Sequence, residues 1–330
     1  MRALVTGATG LVGSHLTRRL VQDGHAVRIL ARPASHVEHL QDLPIEIVRG
    51  DVTDADAVDR AAAGVEAIYH LASNFRQAGA GLSASRAVHV QGTAHVVRAA
   101  LAHRVQRLVH CSTGGVHAPS TNGALTEDAP YHAPDGNAYE ATKVEAEQLV
   151  FRAAAEEGLP AAVIRPGIVY GPGDRRLLKL FRAIAKRRFV MFGEGRNAYH
   201  LAYVDDVIDG MVLCGTRPEA IGQAFFLAGA ACPTLEQVIT LIARAVGAKP
   251  PSWRLPVGPI DTAARLCEAA CRPLGIAPPL TRRRVDFFRV SRILDISKAR
   301  RLLGYAPQVD LAEGIRRTAR WYREQGWLNG

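Results

Sequence analysis

The chain has 330 residues and a formal net charge of +10, with 48% hydrophobic and 22% charged residues. The length exceeds that of one ordinary domain, and the composition is typical of globular proteins, which argues against wholesale disorder. Because the sequence contains neither 18 consecutive apolar residues nor a signal peptide, we expect a cytoplasmic protein without a membrane span.

Neither the charge nor the cysteines point to nucleic acid or metal. The basic residues accompany no nucleic-acid-binding motif, so solvated helix faces explain them best and a pocket for phosphorylated ligands comes second. The five cysteines form no C-x-x-C pair, and the twelve histidines form neither H-x-x-x-H nor H-E-x-x-H. We therefore expect reduced thiols, no metal, no nucleic-acid partner and a small-molecule substrate.

The first motif is a glycine-rich turn between a predicted strand and a predicted helix. Residues 2–6 form a short apolar run, and apolar residues recur at helical spacing from Leu11 to Leu20. Gly7, Gly10 and Gly13 lie at this junction, where glycine allows a tight turn and a close approach of ligand to backbone. The free N–H groups of the helix start would form an anion site for a pyrophosphate. A tight turn without ligand is the alternative.

Strands and helices alternate along the first half of the chain. Further strands are predicted at 25–32, 45–49, 67–72, 107–111 and 161–165, and helices follow Asp54, carry Val88 to Leu101, and span about 138–157. This alternation predicts an α/β protein with a doubly wound parallel sheet of the Rossmann type, which binds ligands at the carboxyl ends of its strands. We expect a dinucleotide-binding domain at 1–170 with a return segment at about 198–228. Residues 171–197 and 229–330 would form a smaller, mostly helical substrate domain.

A tyrosine and a lysine lie one helical turn apart. Tyr139 and Lys143 share a helix face, and a nearby ammonium together with an oxidised nicotinamide would lower the tyrosine pKa from its usual value of about 10. Tyr139 could then exchange a proton during hydride transfer. Thr113, at the end of the fifth strand, could bind a substrate oxygen. A chance pair on a solvated helix and a hydroxyl that bonds loop backbone are the alternatives.

The motifs together resemble the extended short-chain dehydrogenase/reductase family, which includes sugar-nucleotide epimerases and dehydratases, 3β-hydroxysteroid dehydrogenases and dihydroflavonol reductases. The resemblance covers nearly the whole chain and rests on TGATGLVG (6–13), GDVTD (50–54), HLAS (70–73), GT (92–93), CST (111–113), YEATK (139–143), RPGIVYGPGD (165–174), YVDDV (203–207) and DISKARRLLGYAP (295–307).

The resemblance implies the role of each site residue. Tyr139 would be the acid/base, Lys143 its partner on the nicotinamide ribose, and Thr113 the substrate-binding hydroxyl. The resemblance also implies a homodimer that pairs the helices carrying residues 88–101 and 139–157. Relatives often have Asn where this chain has His89, and we expect His89 to be a local structural replacement. The cofactor-binding residues would be Gly7, Thr9, Gly10, Leu11, Val12, Asp51, Val52, Leu71, Ala72, Ser73, Tyr139, Lys143, Pro166, Ile168 and Val169.

The end of the second strand bears on the choice between NAD and NADP. An acid there favours NAD, whereas an arginine accommodates the 2′-phosphate of NADP. The chain has Arg32 and no acid at this point, so NADP(H) is favoured and NAD(H) remains possible. Stacking of Arg32 on the adenine, or exposure to solvent, is the alternative.

The substrate is the least determined feature. An apolar stretch between Val257 and Ile276 and the exchangeable NADP favour an oxidoreductase for a lipid-like, steroid-like or aromatic ketone or alcohol. Four arginines that could bind a pyrophosphate favour the alternative, an NDP-sugar 4-epimerase or dehydratase with tightly bound NAD; they are Arg175, Arg176, Arg196 and Arg254. A non-catalytic NADP-sensing protein is a third hypothesis, which an intact Tyr139 and Lys143 disfavour.

Overall fold

A seven-stranded parallel sheet forms the centre of the protein in a computed structural model, which describes residues 1–74, 81–121, 123–133, 137–271, 276 and 278–328. The strand order is β10-β6-β5-β4-β1-β2-β3. The strands in the described chain are β1 (Arg2–Thr6), β2 (Ala26–Ala31), β3 (Ile45–Arg49), β4 (Ala67–His70), β5 (Arg107–Cys111), β6 (Ala161–Pro166), β7 (Ile168–Tyr170), β8 (Met191–Phe192), β9 (Leu201–Tyr203), β10 (Ala224–Leu227) and β11 (Arg254–Leu255).

Helices cover both faces of this sheet. The α-helices are α1 (Leu11–Gln22), α2 (Ala55–Ala62), α3 (Leu82–Arg86), α4 (Gly92–Ala102), α5 (Ala138–Glu156), α6 (Leu178–Ala185), α7 (Val204–Thr216), α8 (Leu235–Ala245), α9 (Val257–Cys271), α10 (Arg282–Asp286), α11 (Ser297–Leu303) and α12 (Leu311–Glu324). Helices α1 and α7 pack together, as do α2 with α4 and α4 with α5. Two apolar cores result, and the prediction of a doubly wound Rossmann-type sheet is confirmed.

The strand order reverses beside β1, which determines where a ligand can bind. From β1 the chain builds outward through β2 and β3, and then returns to place β4 on the other side of β1. A crevice opens at such a switch point, outside the carboxyl ends of the strands. The glycine turn of residues 7–13 follows β1 at this position.

The structure corrects two details of the predicted elements. The fourth strand ends at His70 rather than Ala72. The Leu71 N–H is shared between the Thr6 carbonyl oxygen (3.1 Å) and hydroxyl (3.2 Å), and the Ala72 N–H bonds the same hydroxyl (3.3 Å), so a side chain replaces the backbone partner at this point. The helix expected at 88–101 begins earlier, with α3, and passes through a π-helical turn at Ala87–Gln91 before α4 begins. Helical periodicity alone cannot distinguish such a wider turn from an α-helix.

The C-terminal part of the described chain is mostly helical. Its two small sheets pair β7 with β9 and β8 with β11, while β10 adds to the edge of the main sheet beside β6. The two-domain division stays a prediction. Helix α9, within the apolar stretch, exposes Leu266 to solvent (67%). Across the described ranges, no helix is both long and apolar enough to cross a bilayer.

Candidate active site

A cavity of about 750 Å³ opens at the carboxyl ends of the sheet strands. The side of the cavity near β1 and β2 is lined by Gly7, Thr9, Gly10, Leu11, Val12, Arg32, Asp51 and Val52. The remaining wall includes Leu71, Ala72, Ser73, Thr113, Tyr139, Pro166, Ile168 and Val169. Of the predicted site residues, Lys143 alone is absent from this lining. Their proximity is a structural observation, whereas their individual roles stay predictions.

The glycine turn has the shape expected of a phosphate cradle. Gly7 has a φ of +74°, which L side chains rarely adopt, and a Cβ at Gly13 would lie 2.2 Å from the Gly7 carbonyl oxygen. A Cβ at Gly10 would contact only the Gly7 carbonyl oxygen, at 3.3 Å, so this glycine is not required by the core. Because Gly10 has no side chain, its backbone is open to a ligand in the cavity. Because the start of α1 has no side-chain cap and no acidic residue in its first turn, its N–H groups suit a pyrophosphate.

The end of β2 presents one cation, Arg32, to the cavity. Arg32 lines the wall and is exposed, and the neighbouring Arg49 guanidinium donates to the Arg32 and Ser35 carbonyl oxygens (3.3 and 3.4 Å). The carboxylate of Asp51 accepts from the Thr53 backbone and hydroxyl, each at 3.0 Å. This end of the cavity can therefore attract a phosphate next to an adenosine.

Tyr139 and Thr113 meet at the other end of the cavity. Tyr139 projects from the first turn of α5, and Thr113 follows β5; a hydrogen bond between their side chains lowers the tyrosine pKa. Burial has the larger effect, and the net result is a pKa above the usual value of about 10. The expectation of a lowered pKa is therefore wrong for the protein's own groups. The phenol is protonated at neutral pH and can donate a proton.

Lys143 is held by the backbone at the end of β5. Its ammonium is buried and donates to the carbonyl oxygen of Cys111 (2.7 Å), and burial lowers its pKa. This bond holds the lysine against the end of β5. Burial outweighs the influences that lower the Tyr139 pKa, and the helical spacing of the two residues does not reveal burial.

The four arginines considered for a pyrophosphate have different surroundings. Arg176 lines the cavity, with its guanidinium bonded to the Asp174 carboxylate (2.9 Å). The other three lie against partners elsewhere: Arg175 over the Trp327 ring at 4.7 Å, Arg196 beside Glu194 at 2.7 Å, and Arg254 beside Glu236. A four-arginine clamp is therefore wrong. Of these four arginines, only Arg176 lines the same cavity as Tyr139.

Several site features were not found from the sequence. Phe287 lines the cavity from the chain just after α10, where no motif marks it. His70, His89 and His110 are buried near Lys143, whose charge, added to their burial, lowers the pKa of each. The sequence showed His89 as a departure from relatives, but only the structure gives its partners. Within the described residues, no group of histidine, cysteine and acidic side chains is arranged to hold a metal.

The geometry agrees with comparisons to known proteins. The model of the NAD dependent epimerase/dehydratase family matches residues 3–228. This chain belongs to that family. It is 32% identical to a 2-alkyl-3-oxoalkanoate reductase of Stenotrophomonas maltophilia, over 96% of this chain and 98% of the relative. It is also 32% identical to a UDP-glucose 4-epimerase of Mycolicibacterium smegmatis, over 98% and 99%.

A solved structure shares the whole architecture. The dTDP-glucose 4,6-dehydratase of Streptomyces venezuelae, determined with NAD and TYD bound, superposes with a TM-score of 0.80 at 27% identity, covering 100% of this chain and 99% of that one. The relatives thus include both reductases and enzymes that act on sugar nucleotides. Membership of the family establishes the fold and an NAD-dependent family chemistry, while the individual reaction needs an argument from the site.

Proposed function

We propose that the chain is an NAD(P)-dependent oxidoreductase that reduces a ketone or aldehyde, or oxidises the corresponding alcohol, with Tyr139 as the acid/base. The observation that carries the proposal is the position of the Tyr139 phenol, which is hydrogen-bonded to Thr113 in the lining of the ligand cavity; burial raises its pKa and favours the acid form. A group held in its acid form suits donation to a carbonyl oxygen.

Each residue would have a distinct task. Thr113 and Tyr139 would hold the carbonyl oxygen, and the phenol would give it a proton as the alkoxide forms. Lys143, fixed by the Cys111 carbonyl, would bind the nicotinamide ribose. Gly10 and the start of α1 would bind the pyrophosphate. The reduced nicotinamide supplies the hydride that the carbonyl carbon accepts.

Charge in the cavity favours NADP(H) over NAD(H). Arg32 lies at the end of β2 with Arg49 nearby, and a 2′-phosphate would gain a charge-assisted bond from a guanidinium there. NAD(H) would lack this bond. An exchangeable cofactor in turn favours net reduction over epimerisation.

The substrate side favours a ketone with a small anionic group over a sugar diphosphate. Three of the four arginines that could bind a pyrophosphate lie against other partners. Of the four, Arg176 alone lines the cavity, where its guanidinium is paired with the Asp174 carboxylate. This cation and the Phe287 ring in the same lining suit one carboxylate and an apolar chain. The reductase relative acts, by its name, on a 2-alkyl-3-oxoalkanoate, which has this chemistry. The exposed α9 does not add to the argument, because Leu266 faces solvent.

The alternative is an NDP-sugar epimerase or dehydratase with tightly bound NAD. The epimerase relative and the NAD-containing dehydratase structure favour it, since their similarity also spans the whole chain. A substrate assay separates the two: purified protein is mixed with NADPH or NADH and a 2-alkyl-3-oxoalkanoate, and separately with UDP-glucose. We expect cofactor oxidation with the keto acid. Epimerised sugar without net cofactor oxidation would overturn the proposal, and neither reaction, with tight cofactor binding, would favour a sensor.

A further inference from the structure

His89 lies where three structural elements meet beside the cavity. It belongs to the π-helical turn Ala87–Gln91, and its ring is almost fully buried. One ring nitrogen, Nε2, is 3.0 Å from the Ser73 hydroxyl, and the other, Nδ1, is 2.8 Å from the Thr142 hydroxyl. The ring also meets the Tyr139 ring edge-on, at 5.4 Å and 82°. His89 thus connects the loop after β4 to the helix that carries Tyr139.

The surrounding donors determine which nitrogen carries the proton. The Thr142 hydroxyl oxygen lies 2.6 Å from the carbonyl oxygen of Ala138, and two oxygens at this distance require the hydroxyl hydrogen between them. Nδ1 of His89 must therefore donate to Thr142. On the other side of the ring, the backbone N–H of Asn74 points to Nε2 at 3.4 Å, and an N–H can only donate. Nε2 is the acceptor, and the Ser73 hydroxyl donates to it.

His70 is fixed in the opposite tautomer by the same reasoning. The Thr93 hydroxyl donates to the carbonyl oxygen of His89, so Nε2 of His70 donates to Thr93 at 3.0 Å. The Thr6 hydroxyl, which accepts two backbone N–H groups, then donates to Nδ1 of His70 at 2.7 Å. Both rings are neutral, and burial lowers the pKa of each to about 3.

We propose that His89, as the neutral tautomer with its proton on Nδ1, is a positioning residue that aligns Tyr139 on α5 with the cofactor side of the cavity at Ser73. The proposal rests on the proposed function, since it assigns Tyr139 the proton transfer. The two ends of the ring have separate tasks. The Thr142 end fixes the first turns of α5, and with them the phenol, whereas the Ser73 end fixes the cavity wall after β4.

Two substitutions separate these tasks. In His89→Asn, the shorter amide can still donate to Thr142 from the position of Nδ1 but cannot reach Ser73. In His89→Gln, the longer amide can accept from Ser73 at the position of Nε2 but no longer donates to Thr142. His103→Gln is the matched control, because this histidine lies at the end of α4, bonds Asp59 at 2.9 Å and does not line the cavity.

We expect His89→Asn to weaken NADPH binding with kcat nearly retained, and His89→Gln to lower kcat with NADPH binding nearly retained. Each effect should be about 5- to 150-fold, the range for one unpaired buried hydrogen-bonding group. Ser73→Ala should weaken NADPH binding as His89→Asn does, and the double variant should be no worse than either, because both remove one bond. His103→Gln should change neither quantity.

Selective ¹⁵N labelling of histidine gives a readout that needs no turnover. The NMR spectrum of the unsubstituted protein should contain a signal set for a neutral ring protonated at Nδ1, and this set should disappear in His89→Gln. A His89 ring protonated at Nε2, or at both nitrogens, would overturn the proposal. The proposal would also be overturned if His89→Asn and His89→Gln changed kcat and NADPH affinity in the same way. Failure of the proposed function would look different: a fully active Tyr139→Phe would remove the catalytic role while leaving the tautomer unchanged.

Discussion

At the scale of single residues, the hydroxyl of Tyr139 is the atom on which the proposed chemistry depends. Tyr139→Phe retains the ring and its contact with His89 but removes the transferable proton. We expect kcat to fall by about 10²- to 10⁴-fold, the usual contribution of a proton-transfer group, with little change in NADPH affinity. Steady-state assays and a direct binding titration measure the two effects. Turnover within a few fold of the unsubstituted enzyme would reject the role.

The raised pKa of Tyr139 predicts a pH dependence for the proposed reduction. The acid form is the active one in this direction, and burial holds its pKa above the usual value of about 10. The rate should therefore be independent of this group through neutrality and should fall only as pH rises through the raised pKa. A profile of kcat against pH with NADPH tests this. Thr113→Val removes the hydrogen bond that lowers the Tyr139 pKa. A loss of activity with a midpoint near neutral pH in the unsubstituted protein, which disappears in this slower variant, would contradict the prediction.

Arg32 is the residue predicted to select the cofactor. Arg32→Ala should remove most of the preference for NADPH over NADH and leave NADH binding nearly intact, because the glycine turn serves both cofactors. The preference should weaken with salt, as expected for an exposed ion pair. Arg60→Ala, on the exposed side of α2, is the control for a change in overall charge. An equal loss of affinity for both cofactors would contradict the assignment.

At the scale of elements, a buried ion pair joins α5 to β6. Glu147 and Arg165 have 0% and 4% exposed side chains, and the Arg165 guanidinium also donates to the Glu127 carbonyl oxygen at 2.7 Å. Glu147→Gln leaves the guanidinium charge without its counter-ion, which should lower the free energy of unfolding by about 3–5 kcal/mol. Glu236→Gln breaks the exposed pair with Arg254 and should cost about 1 kcal/mol or less. Urea denaturation measures the free energy of unfolding of both variants, and an equal loss in the two would contradict this prediction.

Sequence patterns predicted some strands and helices accurately and missed features of others. Buried parallel strands are nearly continuous apolar runs, so β1 and β5 could be located to the residue, and β6 to within one residue. The edge strand β3 is largely exposed, and its bounds also agree with the prediction. The π-helical turn before α4 has the same periodic apolar residues as an α-helix and could not be distinguished. The apolar residues of α9 indicated a buried or substrate-facing helix, but periodicity does not tell which side meets a neighbour, and Leu266 faces solvent.

In the candidate site, too, some features could be predicted from the sequence and others could not. Glycine spacing identified the turn after β1, because backbone geometry restricts those positions to glycine. Electrostatic properties depend on burial and on distant partners. The sequence therefore did not show that the protein's own groups raise the Tyr139 pKa, and the contacts of Arg175, Arg196 and Arg254 could not be foreseen. The tautomers of His70 and His89 depend on hydroxyl groups from four different segments, which no local pattern contains.

At the scale of the whole molecule, we predict a homodimer that pairs α4 and α5 with their copies. These helices pack against each other and carry partly buried apolar residues at Leu101, Leu149 and Phe151, which a partner could cover. Light scattering should give twice the chain mass of 35.6 kDa at micromolar concentration. Leu149→Glu should shift the protein to a monomer, whereas Leu266→Glu on the exposed face of α9 should not. A monomeric unsubstituted protein would contradict the prediction.

The central claim is that the protein exchanges its cofactor in each cycle as a reductase. The most direct test is to denature the freshly purified protein and to analyse the released nucleotide by absorbance and mass. A reductase that binds NADP(H) reversibly should arrive largely free of nucleotide, and should take up NADPH more tightly than NADH when each is added back. One equivalent of NAD per chain would contradict the account, since an enzyme that regenerates its cofactor internally, such as a sugar-nucleotide epimerase, can hold it through purification, whereas a reductase must release it in every cycle.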